Sequence, residues 1–498
     1  MPITRSKSGV SEKVNAYADF MGMDDSRPSI SQDTGEKQSL LEITNGFCDW
    51  RGQIVRDPVA TYRQARNAIT HVRFYGTESV VFAERNDAYI SMSSDREHRM
   101  EDVYPANAVV NSVVFNREVH VFVRALKPYI YNGVLWRENT SESLNALKPA
   151  FGVVVGRRLA VAGISDRPTE VHLSRVDDDT AFPDDESPSE TSVLRAGMID
   201  IANIAGVSDE ITGLAQFEQS KLVMFTRGTA YVYKIDPDIT QWEIEQNTSV
   251  RIGCLSHGTI VSAGTDILFC SSKGVHSLRR SRENGITIYN RTLSAAVRHR
   301  YLSLLRMMDD TSRITAAWDE ETNRYLVFFP ISETHTERLT LALSEDEQIP
   351  PKWSRGDYLK AICADSVSAR LVFGTPGGLY EVEDLGYFDD DSPSITMEVL
   401  TPVFWLGSLH EQKMAYAYIL QADGDGDVVV EVMNQDGAVV GGDTFEAQPD
   451  DNGLFPTVPL SQRYKRKLEV MAVGLQFRIR VTGKGLFRIS GLAIITKK

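Results

Sequence analysis

No stretch of this 498-residue chain approaches the roughly 18 to 20 consecutive apolar residues needed to cross a membrane. The opening Met1-Pro2-Ile3-Thr4-Arg5-Ser6 lacks the apolar segment of a secretory signal, so a protein made and folded in a cytosol is expected. Cysteine is scarce. Cys48, Cys254, Cys270 and Cys363 lie far apart, and none forms the Cys-x-x-Cys pair of a zinc site or redox centre, so they read as small buried hydrophobes. The nine histidines are scattered, with no pair at helical i, i+4 spacing and none beside a Gly-x-Ser-x-Gly nucleophile elbow. Positive charge is in deficit: 53 Lys and Arg against 68 Asp and Glu leave a net charge of -15, which argues against general attraction to phosphate backbones. With no nucleophile, acid–base pair or metal-ligand spacing to rest on, catalysis is not expected, and neither is a cofactor.

What is present is a repeated phrase: a short apolar run, a tight polar turn, and a second short apolar run. It is clearest in Leu222-Val223-Met224-Phe225, turn Thr226-Arg227-Gly228-Thr229, then Ala230-Tyr231-Val232-Tyr233. Both arms are β-branched or aromatic and too short for helices, so each phrase predicts a hairpin. The layout recurs at 80–91, 119–131, 153–162, 267–278, 324–329 after the acidic turn Asp319-Glu320-Glu321, and 371–382. Preceding apolar stretches such as Ile211-Thr212-Gly213-Leu214-Ala215 make three or four strands per unit. A start-to-start spacing of roughly 40 to 60 residues suits propeller blades rather than helical repeats. A lone blade has open edges and an exposed face, and becomes stable by stacking on its neighbours. The reading is an all-β chain with a six- or seven-bladed β-propeller; a series of sandwich hairpins without ring closure shares the same local signals.

The remaining text divides around those units. Residues 1–40 are polar and read as an arm, and residues 41–67 as a lead-in segment that pairs with a C-terminal platform. The propeller occupies 68–390, interrupted by an acidic loop at 177–190 and by one inserted helix at 293–308. In that helix Leu293, Val297, Tyr301, Leu304, Leu305 and Met308 fall on one face. Residues 391–498 show long alternating strands joined by Gly/Asp turns and read as a β-sandwich-like platform domain.

Two local motifs invite chemistry and fall short of it. Asp423-Gly424-Asp425-Gly426-Asp427 opens like a calcium loop, but Val428 stands where the sharp turn needs Gly and Asn434 where a bidentate Glu belongs, so it reads as a hairpin turn. Gly374-Thr375-Pro376-Gly377-Gly378 lies between strands and lacks the Lys-Ser/Thr and helix of a phosphate cradle. Trp318-Asp319 is a single pair, whereas WD40 blades repeat it, and no sialidase-type Ser-x-Asp-x-Gly-x-x-Trp box recurs. Against the acidic background, Arg463, Lys465, Arg466 and Lys467 form a basic run that reads either as a surface loop or as an interface for an acidic partner. Arg298 and Arg300 on the helix are further candidates, alongside the simpler reading of a solvated outer face.

Several phrases in order resemble the tail nozzle (tail hub) proteins of short-tailed bacteriophages. They are Val171-His172-Leu173-Ser174 followed by Phe182-Pro183; Ile211-Thr212-Gly213-Leu214 leading into Leu222-Val223-Met224-Phe225; and Trp353 and Arg355 before Leu371-Val372-Phe373-Gly374 with Gly378-Leu379-Tyr380. The close, Gly474-Leu475-Gln476-Phe477-Arg478-Ile479-Arg480 with Ile489-Ser490-Gly491, completes the set. The likeness spans most of residues 41–498; the polar arm has no counterpart in it. It implies a virion tail protein in a ring of six copies, attached to an adaptor beneath the portal and carrying fibres, spikes or a needle. Genomic DNA would pass through its lumen without specific binding, for which an acidic wall is suited. On this view the run 463–467 faces a neighbouring copy or the adaptor. The alternatives are a carbohydrate-binding or glycan-cleaving propeller acting as a receptor-binding protein, and a cellular propeller scaffold.

Overall fold

The computed structural model describes residues 12–25, 39–185, 193–202, 209–278, 292–382, 395–403, 413–445 and 462–497, with short breaks inside these ranges. Among the described residues seven small antiparallel groups of strands, here called blades, follow one another; six are separate sheets and one, blade 6, is the first four strands of a larger sheet. Blade 1 runs from Ile69–Tyr75 to Glu97–Met100, blade 2 from Val110–Phe115 to Trp136–Glu138, and blade 3 from Phe151–Val155 to Gly197–Asp200. Blade 4 runs from Ile211–Phe217 to Glu243–Ile244, and blade 5 from Val261–Ala263 to Gly274–Ser277. Blade 6 runs from Thr315–Asp319 to Lys352–Gly356, and blade 7 from Cys363–Val367 to Gly378–Val382. Each of the seven repeated phrases falls in a different blade.

First strands of successive blades pack in a closed circuit that returns from blade 7 to blade 1; between blades 4 and 5 the contact runs through the turn His257–Thr259 and strand Asp266–Ser271. This circuit is a β-propeller. Its middle strands are apolar at nearly every position because both of their faces are covered. On Arg324–Pro330, Tyr325, Val327 and Phe329 join the core shared with blade 5, while Leu326 and Phe328 join the core shared with blade 7. Lys221–Thr226 divides likewise, Leu222 and Met224 toward blade 3 and Val223 and Phe225 toward blade 5. Each of the seven blade interfaces holds such a core. Full burial of one such side chain is worth about 1.5–3 kcal/mol, which separate sandwich hairpins with one wet face would forgo.

The hairpins close by two devices. In blades 2 and 3 the first turn has two residues, Asn116-Arg117 and Gly156-Arg157, all with positive φ, the backbone that matches the twist of the flanking strands. In blades 4, 5 and 7 a hydroxyl closes the turn. Thr375 Oγ1 accepts from the Gly377 and Gly378 amides and donates to the Gly378 carbonyl, and Thr226 and Ser271 repeat the pattern.

Blade 7 receives its outer strand from the other end of the propeller. Ala60–Ala65 pairs antiparallel with Gly378–Val382. The lead-in segment is therefore divided: Glu42–Thr44 and Ile54–Arg56 pair with the C-terminal region and Gly46–Cys48 with Ile54–Arg56, while the next strand satisfies an otherwise open blade edge and locks the ring.

The C-terminal region is two sheets packed face to face. One contains Gly46–Cys48, Ile54–Arg56, Phe487–Lys497, Lys413–Gly424 and Gln462–Gly474. The other contains Glu42–Thr44, Met397–Leu400, Phe477–Lys484, Asp427–Asn434 and Val439–Phe445. Tyr418, Leu420, Leu492 and Ile494 meet Ile43, Val430, Ile479 and Val481 in one core, and Tyr418 donates to Asp443 across the sheets at 2.6 Å. The polar arm is not wholly an arm, since Glu12–Ala18 pairs with Phe487–Lys497. The text around Asp423–Asp427 is no hairpin either: the strands on its two sides lie in different sheets, and residues 425 and 426 lie outside the described residues.

Propeller and two-sheet region share a sheet. Blade 6 continues through Glu42–Thr44 into Met397–Leu400 and beyond, giving nine hydrogen-bonded strands, with Thr44 paired in parallel to Arg355. Asn45, at φ 56, knits this junction: its amide donates to Asp357 Oδ1 at 2.8 Å and the Thr396 carbonyl at 3.1 Å, and its oxygen accepts from the amides of Asp357 and Tyr358. Asp57, 2% exposed, binds Arg324 at 2.8 Å and also Arg338. Arg324 also holds Asp319 at 2.8 Å and lies over the Phe47 ring. The helix Arg298–Met307 docks beside blades 5 and 6 through Tyr301 and Leu304, with Leu293 and Val297 of the segment before it in the same core, and Tyr301 donates to the Ser271 carbonyl at 2.7 Å. Glu142–Leu147 adds a six-residue helix between blades 2 and 3, capped by Ser141.

Candidate functional site

Because the first strands of all blades converge on the axis, they enclose a cavity of about 540 Å³. Its polar lining includes His71 and Arg73 from blade 1, Ser112 from blade 2, His257 ahead of blade 5 and Asp365 from blade 7. Asp365 Oδ2 accepts from the Phe74 amide at 2.8 Å, and its other oxygen lies 3.7 Å from Arg73. This ties blade 7 to blade 1 at the point of ring closure. Burial raises the Asp365 carboxyl above its usual range, and Arg73 only partly offsets that.

His71 Nε2 and Ser112 Oγ share a 2.8 Å hydrogen bond. The pair looks like half of a nucleophilic dyad, but burial first, and then Arg73 and His257, push His71 down to about 3. An imidazole that weak in basicity does not take a serine proton near neutrality. His257 is lowered to about 4 by burial and Arg73. The cavity thus offers neutral imidazoles, a hydroxyl and an Arg–Asp pair, suited to hydrogen bonding. The four cysteines are free and buried. Burial raises Cys48 and Cys270 to about 12 and Cys254 to about 11, and it raises Cys363 too, so all four remain unreactive thiols. Among the described residues, metal-ligating side chains converge off the axis, at Glu118, His120 and Asp179 between blades 2 and 3.

The sequence-predicted cations are dispersed. Arg298 is exposed at the start of its helix. Arg300 is engaged within the chain: its guanidinium meets Glu337 at 3.2 Å and its amide donates to Asp25 at 2.9 Å. Arg463, Lys465, Arg466 and Lys467 do not form a loop. They lie on strand Gln462–Gly474, in register with Gln421, Ile419, Tyr418 and Ala417. Among the described residues this strand ends the six-stranded sheet. A charged run at a sheet edge fits the common use of lysine there to discourage unwanted pairing. The axial residues escaped the sequence reading because His71, Ser112, His257 and Asp365 come together only through ring closure.

No protein-family model matches the chain, and no curated protein matches it in sequence. Similar solved structures include PorZ, a surface component of the type-IX secretion system of Porphyromonas gingivalis, at TM-score 0.39 and 10% identity, covering 72% of this chain and 44% of that one. BamB from Moraxella catarrhalis gives TM-score 0.38 and 9% identity, covering 66% of this chain and 99% of that one. The WD40 β-propeller domain of Doa1 gives TM-score 0.39 and 8% identity, with 65% and 95% covered. This chain spans less than half of PorZ. The propeller is identified by its own closed circuit of blades, independently of these matches.

Proposed function

We propose that this chain is a structural subunit of the tail-nozzle type, which assembles into a ring beneath the adaptor of a short-tailed phage and frames a passage for DNA without a catalytic step. The observation that carries the reading is the nine-stranded sheet running from blade 6 into the C-terminal region. A hydrogen-bonded sheet resists hinging, so the two parts move as one body, as a part that transmits force must. The edge strand Gln462–Gly474 supplies a surface for a neighbouring copy or the adaptor. Copies meeting head to tail through such unlike surfaces close into a ring. Fibres, spikes or a needle would dock on the outer blades.

Light scattering and negative-stain microscopy of the full chain, alone and with candidate adaptor rings, test this. A six-fold ring with an open axial channel is expected. A persistent monomer under both conditions overturns the reading. The polar axial cavity supports a second one, a receptor-binding propeller that holds a sugar; a glycan array positive only with an intact His71–Ser112 lining would favour it.

A further inference from the structure

Glu118 and His120 stand two positions apart on strand Glu118–Val123, so their side chains leave the same face. The acidic loop of blade 3 brings Asp179 to that face. The loop is anchored just before it: Asn116 donates to the Asp177 carbonyl at 2.9 Å, the Asp177 amide donates to the Arg157 carbonyl at 2.8 Å, and Arg157 Nε donates to the Asp177 carboxylate at 3.0 Å. Asp178 then accepts from the amide and hydroxyl of Thr180, fixing the turn on either side of Asp179.

His120 is fully buried, with the Phe115 and Phe122 rings at 6.3 and 6.4 Å. Among the described residues neither of its ring nitrogens has a hydrogen-bond partner, and Asp179 Oδ2, 3.5 Å from Nε2, has none either. Two buried polar atoms left facing each other beyond hydrogen-bond range are unfavourable unless something lies between them. The Glu118 carboxylate completes a set whose ligand atoms all lie within 4.8 Å of one another.

We propose that Glu118, His120 and Asp179 bind a divalent first-row transition-metal ion of the zinc type, which clamps the acidic loop of blade 3 onto blade 2. In a tetrahedral zinc site, bonds of about 2.0–2.2 Å hold neighbouring ligand atoms ~3.3–3.5 Å apart. The observed His120–Asp179 separation of 3.5 Å matches. Glu118 and Asp179 keep side-chain exposures of 21% and 13%, leaving an entry path and room for water as a fourth ligand. Arg137 Nη2, at 3.1 and 3.0 Å from the Glu118 oxygens, is the cation the metal must compete with. With that competitor and no acceptor on His120 Nδ1, affinity should fall about 10–100-fold below that of a fully supported site.

The test uses the full chain, stripped with chelator and dialysed, then titrated with Zn²⁺ by equilibrium dialysis and with Co²⁺ by visible absorption. One saturable equivalent is expected, weakened about tenfold or more by Asp179→Asn and by His120→Gln, and strengthened by Arg137→Gln. If His120→Gln fails to fold, the partly exposed Glu118→Gln replaces it. Absence of saturable binding, or an equivalent unchanged by Asp179→Asn, overturns the proposal.

Discussion

The propeller and the two-sheet region solve the burial problem in opposite ways. Within a blade, strands pair in sequence order, many of them through short turns, and the middle strands find apolar partners on the blade before and the blade after. In the two-sheet region, strands from both ends of the chain are interleaved: Glu12–Ala18 and Ile54–Arg56 pair with Phe487–Lys497, and Glu42–Thr44 with Met397–Leu400. The strands Lys413–Gly424 and Asp427–Asn434, neighbours in sequence, even lie in different sheets. Local pairing forms cheaply, because little loop entropy is lost. Yet the ring closes only when Ala60–Ala65 reaches blade 7, and that strand leaves directly from the lead-in segment held by the two-sheet region. Closure of the locally built part therefore depends on the part built from long-range contacts.

If so, the junction should be the most sensitive point in the molecule. Asp57→Ala leaves Arg324 and Arg338 buried without their shared counter-ion, and a loss of about 3–5 kcal/mol is expected. Urea unfolding measures it, and amide exchange should show protection falling in blade 7 as well as in the two-sheet region. A lesion inside one blade should act locally. Thr375→Val strips a turn of its hydroxyl, leaving the buried Gly378 amide and carbonyl without that partner while the exposed Gly377 amide can turn to water, at a cost of about 2 kcal/mol. Exchange should then rise in blade 7 alone. A Thr375→Val effect spread as widely as that of Asp57→Ala would abolish the distinction.

The same contrast decides what was legible in the text. Leu222-Val223-Met224-Phe225 is readable as a strand because both of its faces are buried, so its apolar run is nearly unbroken. Ala60-Thr61-Tyr62-Arg63-Gln64-Ala65 carries no such run, and its partner Gly378–Val382 lies far along the chain. Glu12–Ala18 was hidden in polar surroundings for the same reason. Arg463 to Lys467 read as a loop because charge masks strand propensity, although an edge strand tolerates such residues. The Glu118–His120–Asp179 group was invisible as a motif: two members sit at strand spacing, and the third comes from the next blade.

Protonation probes blade packing more gently. His276 in blade 5 is buried against Phe269 and shares a 2.8 Å hydrogen bond with Ser271; burial and then Lys273 lower it from 6.5 to about 4. The unfolded chain then binds more protons below pH 6.5, so the stability that His276 contributes is complete above that value and is lost as pH falls toward 4. The slope approaches about 1.4 kcal/mol per pH unit. His71, lowered to about 3, and His257, lowered to about 4, add contributions of the same sign. Asp365 and Asp25, raised by burial, act in the opposite sense once pH nears the carboxylate range, so the decline should flatten there. Melting temperature measured from pH 7.5 to 5 should fall, and it should fall less steeply in His276→Gln. An unchanged slope would mean that this blade does not hold its histidine neutral.

The smallest effect on stability is expected where the largest effect on assembly is proposed. Arg463→Glu, Lys465→Glu and Lys467→Glu together change an edge strand whose backbone pairing with Lys413–Gly424 survives the substitution. Each should shift stability by about 0.5 kcal/mol or less. If that edge meets an acidic neighbour or adaptor, the triple variant should remain a folded monomer with an unaltered melting curve and fail to form rings. Ring formation at the wild-type level would remove the edge from the interface and leave the outer blades to supply it. Rings lost together with the melting transition would show that the strand matters to the fold first, and that the two-sheet region is less tolerant at its margin than the blades are at theirs.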